Sequence, residues 1–208
     1  MERDFENDVR DVFEETSDPP HLLTSIFEWM EAIVASFILV VLIFTFLFRV
    51  VLVDGNSMNM TLHNQDRVLV FDLMYQPKRG DVVVVTNATE ANIPIIKRVI
   101  GLGGDTIRID YETGEVFVND SKALPENYIF EPMEPPDGEP LYEVEVPPGT
   151  VFVMGDNRNF SDDSRNPRVG MVDTQLILGK AIFRIFPLSD FGKIHSPDLN
   201  RFILEGTL

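Results

Sequence analysis

Lys97 stands in the run Ile93-Pro94-Ile95-Ile96-Lys97-Arg98-Val99-Ile100. A strand of that composition is largely buried, and alternation sends Lys97 and Arg98 to opposite faces. An amine in apolar surroundings loses solvation of its charged form, so its pKa falls. Once neutral it accepts a proton and serves as a general base. The other reading is an edge-strand lysine whose amine reaches water. Ser57 lies in the loop Gly55-Asn56-Ser57-Met58-Asn59-Met60-Thr61-Leu62. A loop serine is a turn or cap residue, or a nucleophile once a base takes its proton. His63, six residues on, is an alternative base for Ser57. A Ser-His-Asp triad would need His63, His195 or His21, and no G-x-S-x-G elbow surrounds Ser57.

Other chemistries are excluded by composition. The 208 residues contain no cysteine, so thiolate nucleophiles, disulfides and Cys-ligated metal sites are ruled out. The three histidines are far apart, which argues against a His-rich metal site, and no cofactor motif is present. With 34 acids against 17 bases the net charge is −17, which is unsuited to sequence-independent nucleic-acid binding.

The elements that must position Ser57 and Lys97 are mostly short strands. Residues 67–72, 81–86, 105–110, 115–119, 151–154 and 180–186 are rich in β-branched and aromatic residues and are separated by turn residues. Tyr111-Glu112-Thr113-Gly114 suits a hairpin turn. No long amphipathic helix interrupts the series, so residues 54–208 predict a mainly β domain, an antiparallel sheet or barrel. Residues 120–150 are rich in Pro, Glu and Gly and read as a long excursion or small irregular subdomain to which no chemistry is assigned.

Ahead of this domain, Ala32–Phe48 is 17 residues without a charge, extended by Val50–Val53 beyond Arg49. A helix needs roughly 20 residues to cross the hydrocarbon, a length reached here if Arg49 snorkels to the interface. Ser25 and Glu28 have the capping-box spacing, placing a helix start near residue 26, and Trp29 fits an interfacial anchor. The expected spans are therefore an acidic tail over 1–25, one transmembrane helix over 26–53, and the β domain over 54–208. Residues 1–31 hold ten Asp/Glu and two Arg, and Phe5, Val9, Val12 and Phe13 suit either a short amphipathic helix or a solvated tail. Residues 12–31 carry no Lys or Arg, while Arg49 and Arg67 follow the span. Taken alone, that count favours a cytoplasmic C-terminal domain.

Four ordered segments behind one span resemble the type I signal peptidases, membrane-bound Ser/Lys proteases. Ser57-Met58 with Thr61-Leu62 is similar to that family's nucleophile box, and Gly80-Asp81 with the valines that follow is similar to its next box. Lys97-Arg98-Val99-Ile100-Gly101-Leu102 with Gly104-Asp105 resembles the catalytic-lysine box. Gly155-Asp156-Asn157-Arg158, Ser161, Asp163-Ser164-Arg165 and Gly170 resemble the last. Thr45-Phe46-Leu47-Phe48 is similar to the family's membrane exit, and the likeness covers roughly residues 27–187. Four positions depart from the pattern. Met60 and Gly103 stand where the family usually has Pro, and Phe160 where it has Asn. Gly55 stands where some members have a Ser that helps bind the oxyanion. Loss of one such donor costs about 2.7–4 kcal/mol unless a backbone N–H or water replaces it.

The resemblance implies acyl transfer, with Ser57 as nucleophile, neutral Lys97 as base, and the Ser57 N–H in the oxyanion hole. It implies that Ser161 hydrogen-bonds and orients the Lys97 amine, with Asp163 and Arg165 a supporting ion pair. It implies signal-peptide-bearing preproteins as substrates, cut after small residues in an A-x-A-like pattern, and no cofactor or metal. The lipid bilayer and the export machinery are the implied partners, with no nucleic acid. It places the N-terminus in the cytoplasm and the catalytic domain on the outer face of the cell membrane, against the Lys/Arg count. Two rival readings share features with it. One is a catalytically impaired, membrane-anchored β-domain for peptide binding or assembly; the other is a Ser/Lys autoprotease of the repressor type.

Overall fold

The computed structural model describes residues 21–86, 93–119, 121, 123–125, 127–129, 131–134, 141–200 and 203. The acidic residues 1–20, and with them the choice between a short amphipathic helix and a solvated tail, lie outside this set. Helix α1 runs from His21 to Leu47. Its stretch Ser25–Leu47, 23 residues, is long and apolar enough to cross a membrane. Phe27, Trp29, Phe37 and Phe46 are all at least two-thirds exposed, an arrangement suited to hydrocarbon rather than water.

The helix stops six residues short of the expected Val53. Phe48–Leu52 form strand β1 instead, and Arg49, expected at the end of the span, pairs with Asp72 at 3.1 Å. Val50 and Val51 are β-branched, and β1 gains a full ladder of partners along strand β2 (Arg67–Phe71), from Phe48 opposite Phe71 to Leu52 opposite Arg67. Tertiary pairing thus overrides the apolar run. The helix also starts five residues before position 26, directly after the Pro19-Pro20 pair of the sequence.

The remaining strands are β3 (Val82–Val85), β4 (Ile95–Leu102), β5 (Thr106–Asp110), β6 (Glu115–Val118), β7 (Leu141–Glu145), β8 (Thr150–Met154), β9 (Val172–Asp173), β10 (Ile177–Phe186) and β11 (Gly192–Lys193). The large curled sheet has the order β1-β2-β10-β3-β4-β8-β9, with β11 beside β10, and a second sheet is ordered β6-β5-β7. Both are antiparallel, so the β domain is mainly β as expected. Residues 111–114 form the expected turn between β5 and β6, closed by Gly114 N–H to Asp110 O at 2.8 Å. The excursion 120–150 is not wholly irregular, because its last part is β7, paired along β5.

Strands β3 and β4 are central and buried on both faces. Val82 and Val84 pack with Met58, Leu62, Val68, Val70 and Ile96, whereas Val83 and Val85 pack with Val99, Val151 and Val153. That two-sided burial explains why β3 is four consecutive valines rather than an alternating pattern. A third cluster, around Ile107, Ile109, Val116, Val118, Phe152 and Met154, holds the small sheet against β8.

Candidate active site

Ser57 sits in the loop between β1 and β2, and that loop is anchored from both ends. Val53 N–H donates to Asp66 O at 2.8 Å and Gln65 N–H to Val53 O at 2.9 Å, closing its base. Met58 and Leu62 are buried in the core and are joined by Leu62 N–H to Met58 O at 2.8 Å, one helical turn. Their burial holds the intervening backbone and leaves Ser57 at its rim. The loop needs left-handed backbone at Gly55 (φ +97°) and at Met60 (φ +79°). Glycine takes that conformation freely, whereas a methionine is strained in it.

The end of β8 fixes the other side of Ser57. Asn157 N–H donates to Ser57 O at 3.0 Å, and Asn157 Nδ2 donates to Asn56 O at 3.0 Å. Gly155 is the point of closest approach. A Cβ there would lie 2.2 Å from Ser161 Oγ and 2.5 Å from Ser57 O, so only glycine lets the segments meet.

Lys97 lies in the middle of β4, paired with Val83, and is 3% exposed. Its Nζ is 2.6 Å from Ser57 Oγ. Burial pulls the amine's pKa down to about 8, against the opposing pull of Asp163, Asp162 and Asp156; Arg165 adds to the depression. A usable fraction is therefore neutral near pH 7–8. The 2.6 Å separation is within the reach that general-base activation of the hydroxyl requires. The alternative bases are elsewhere. His63 is exposed with its Nδ1 3.5 Å from Arg184 Nη1, and His195 is exposed and offers its carbonyl, not its ring, to Arg98.

The remaining predicted site residues are brought to the same place, with one difference. Asp163 is fully buried and accepts from Arg165 Nε and Nη2, both at 2.8 Å, and from Gly155 N–H at 2.9 Å. Burial pushes its pKa up, but the Arg165 hydrogen bonds and charge, with the Gly155 amide, outweigh that and hold the carboxyl below its usual range. Ser161 Oγ is buried against Gly155 and makes no hydrogen bond to Lys97, so Lys97 is oriented by Ser57 rather than by Ser161 in this structure.

Residues that the motifs contain but that have no role in the sequence reading form a second network beneath the site. Arg98 and Asp156 are fully buried and meet in a fork, Nε to Oδ1 at 2.8 Å and Nη2 to Oδ2 at 2.7 Å. Arg98 also donates to Gly80 O at 2.7 Å and His195 O at 3.0 Å, and lies 4.3 Å over the Tyr128 ring. Thr61 of the nucleophile loop donates to Asp156 Oδ2 at 2.5 Å. The network thus ties the serine loop, the lysine strand and the end of β8 to one ion pair. The available signal was the alternation in β4, which sends Arg98 into the protein opposite Lys97. Among the described residues no three His, Asp or Glu side chains are gathered as a metal site.

Two departures from the family pattern acquire a structural account. Met60 is half exposed and its φ of +79° is one that proline, locked near −65°, does not adopt. Gly103 packs where a Cβ would come within 2.9 Å of Pro147 O. Phe160, in contrast, simply projects, 72% exposed.

Comparison with known proteins bears on the same segments. Residues 26–186 match the family model for signal peptidase, peptidase S26. The chain is 37% identical over 178 residues to signal peptidase I of Bacillus licheniformis, covering 81% of this chain and 93% of that protein. It is 36% identical over 214 residues to the probable signal peptidase I-2 of a Synechocystis strain, covering 96% and 90%. It is 36% identical over 179 residues to signal peptidase I S of Bacillus subtilis strain 168, covering 81% and 94%. The solved structure of a signal peptidase I from Enterococcus faecalis V583 aligns with 51% of this chain and 97% of that one, at 26% identity and a TM-score of 0.41. A family match that begins in α1 and ends at the last residue of β10 takes in all four motif segments, and the chain belongs to the peptidase S26 family of signal peptidases.

Proposed function

We propose that this protein is a membrane-anchored serine endopeptidase that removes N-terminal signal peptides from exported preproteins by a Ser57/Lys97 dyad. The observation that carries the reading is the 2.6 Å contact between a desolvated Lys97 amine and the Ser57 hydroxyl. Ser57 Oγ attacks the scissile carbonyl as Lys97 Nζ takes its proton. The resulting ammonium then protonates the leaving amine, giving an acyl-enzyme. Lys97, neutral again, deprotonates a water that hydrolyses the ester and frees Ser57. The Ser57 N–H serves the developing oxyanion. Gly55 offers no side-chain donor, so any second donor is backbone or water. Asp163 and Arg165 keep the backbone at Gly155 in place beside Ser57.

The substrate adds as an extended strand beside the segments near Ser57 and Lys97, with small residues at the last and the third-from-last positions before the cut, in the A-x-A-like pattern. The apolar helix α1 holds the enzyme in the bilayer in which the substrate's own apolar segment is embedded, which raises their effective concentration. We place the N-terminus in the cytoplasm and the β domain on the outer face of the cell membrane, crossing once. The preproteins and the bilayer are the partners, and the export machinery that delivers the preprotein is a third.

The test is cleavage of a preprotein in detergent by wild type, Ser57→Ala and Lys97→Ala, with folding checked by circular dichroism. Both folded variants lose at least a thousandfold in rate, as nucleophile and base removal do elsewhere. A folded Lys97→Ala enzyme with wild-type turnover would exclude Lys97 as the base. A wild type that binds an Ala-x-Ala peptide without cutting it would leave a peptide-binding β-domain, and self-cleavage alone would indicate an autoprotease.

A further inference from the structure

Residues 131–134 belong to the Pro- and Glu-rich excursion, yet they are fastened to the loop that follows β8. Asn159 uses its whole side chain for this. Its Nδ2 donates to Pro132 O at 3.0 Å and to Glu131 Oε1 at 3.1 Å, and its Oδ1 accepts from Glu134 N–H at 2.9 Å. Donors and acceptor are all matched, which fixes the amide's orientation. Between these anchors Met133 is buried, and its Sδ lies 3.8 Å from both Arg158 Nη1 and Arg165 Nη1.

Those two arginines lead to the reacting groups. Arg158 Nε donates to Gly155 O at 3.1 Å, and Arg165 Nη2 donates to Arg158 O at 2.6 Å while its fork grips Asp163. Asp163 takes the Gly155 N–H, and Gly155 abuts Ser57 O and Ser161. The charged groups acting on Lys97 are Asp163, Asp162 and Asp156, which favour its ammonium form, and Arg165, which opposes it.

We propose that Asn159 is a positioning residue for the Ser57/Lys97 reaction, clasping segment 131–134 onto the 158–165 loop so that Met133 seats Arg165 against Asp163. The proposal rests on the reading of Lys97 as the base. With the clasp open, Met133 leaves the arginines and Arg165 loosens from Asp163. The carboxylate is then less neutralised, and the ammonium form of Lys97 is favoured. The excursion is in this sense part of the site's support.

The experiment is the pH profile of kcat/KM for cleavage of an Ala-x-Ala peptide by the full chain in detergent, for wild type, Asn159→Ala and Asn159→Ser. The serine variant is the milder replacement in a short turn and decides the matter if the alanine variant does not fold. We expect the rising limb to move upward by about half a pH unit. We expect kcat to fall about threefold at pH 7.5 with KM unchanged, the loss of neutral amine that such a shift produces. A folded variant whose limb stays where the wild type has it overturns the proposal, even if its melting temperature falls, because the role is then merely structural. A wild-type profile with no limb near pH 8 sinks the Ser/Lys reading and the clasp with it. A wild-type limb that Asn159 variants leave unmoved sinks the clasp alone.

Discussion

Lys97 and Arg98 are consecutive residues of β4, both buried, and they terminate in separate networks on opposite faces: Lys97 Nζ on Ser57 Oγ at 2.6 Å, Arg98 on Asp156 through a two-bond fork. The strand's two-residue period does the sorting. One cation has lost solvation with only a hydroxyl in direct contact, so its charge is disfavoured. The other has a carboxylate, two carbonyls and an aromatic face, so its charge is compensated. In the proposed mechanism adjacent positions thus supply a proton acceptor and a structural clamp.

The first consequence is a pH dependence set by Lys97. In the proposed mechanism the active form is the neutral amine, and burial places its pKa at about 8. About one molecule in ten is therefore active at pH 7, and kcat/KM should rise nearly tenfold per unit below pH 8 and level off above it. Steady-state cleavage of a peptide across pH 6–10 checks this. A profile already flat at pH 6 would mean that no lysine titration limits the reaction. Lys97→Arg should be inactive throughout, because guanidinium stays protonated.

A second consequence concerns stability. The pKa of Lys97 is lower in the folded protein (about 8) than in the unfolded chain (about 10.5), so the unfolded chain holds more protons between those values and stability rises with pH across that window. Below pH 8 the whole cost applies, on the order of 3 kcal/mol by the usual conversion of pKa shift to free energy. Lys97→Met keeps the volume and removes the charge but also loses the Ser57 hydrogen bond, worth about 1 kcal/mol. The variant should be inactive and roughly 2 kcal/mol more stable at pH 6, with the advantage vanishing by pH 10.5. Denaturant melts at the two pH values measure it, and an equal or lower stability at pH 6 would refute the desolvation argument.

The clamp makes the opposite prediction. Removing one member of a fully buried ion pair leaves an unpaired charge inside the protein, which costs about 3–5 kcal/mol. Arg98→Ala strands Asp156, removes the 3.3 Å donation to Thr61 Oγ1, and frees Gly80 O and His195 O. Its melting temperature should fall by well over 5 °C, and the residual folded enzyme should be poorly active because the unpaired Asp156 no longer anchors Thr61 and the serine loop firmly. A melt unchanged within 1–2 °C would mean the pair carries no net weight.

How much of this was legible in the sequence depends on the range of the force involved. The valine runs and the β5–β6 turn are local signals, and they placed β2, β3, β5, β6, β8 and β10 correctly. The end of α1 was misjudged because Val50–Val53 is as apolar as a span, and only the distant β2 ladder turns it into a strand. Ser57 and Lys97 are singled out in the sequence by the motifs that carry them. Their contact across 40 residues, and the Asn159 and Met133 links into the excursion, depend on side chains meeting from segments far apart in the chain. Ser161 was expected on the lysine amine and lies instead against Gly155, a matter of ångströms that spacing does not encode.

Met60 gives the last prediction, on the nucleophile loop itself. Its φ of +79° lies in the left-handed region, and its side chain is half exposed, so the backbone rather than packing defines the position. A proline at this position would force φ to about −65° and break the turn that carries Thr61 to Asp156. Met60→Pro should therefore lower kcat by on the order of a hundredfold, as misplacement of a reacting group does, rather than rigidify the loop to advantage. Met60→Gly accommodates the same backbone without strain and should keep near wild-type kcat, with stability within about 1 kcal/mol of the parent, the relief of strain offset by glycine's larger unfolded-state entropy. Both variants are assayed on one peptide beside melts of each. A fully active Met60→Pro enzyme would show that the loop adopts a different backbone, with Ser57 presented to Lys97 by another route.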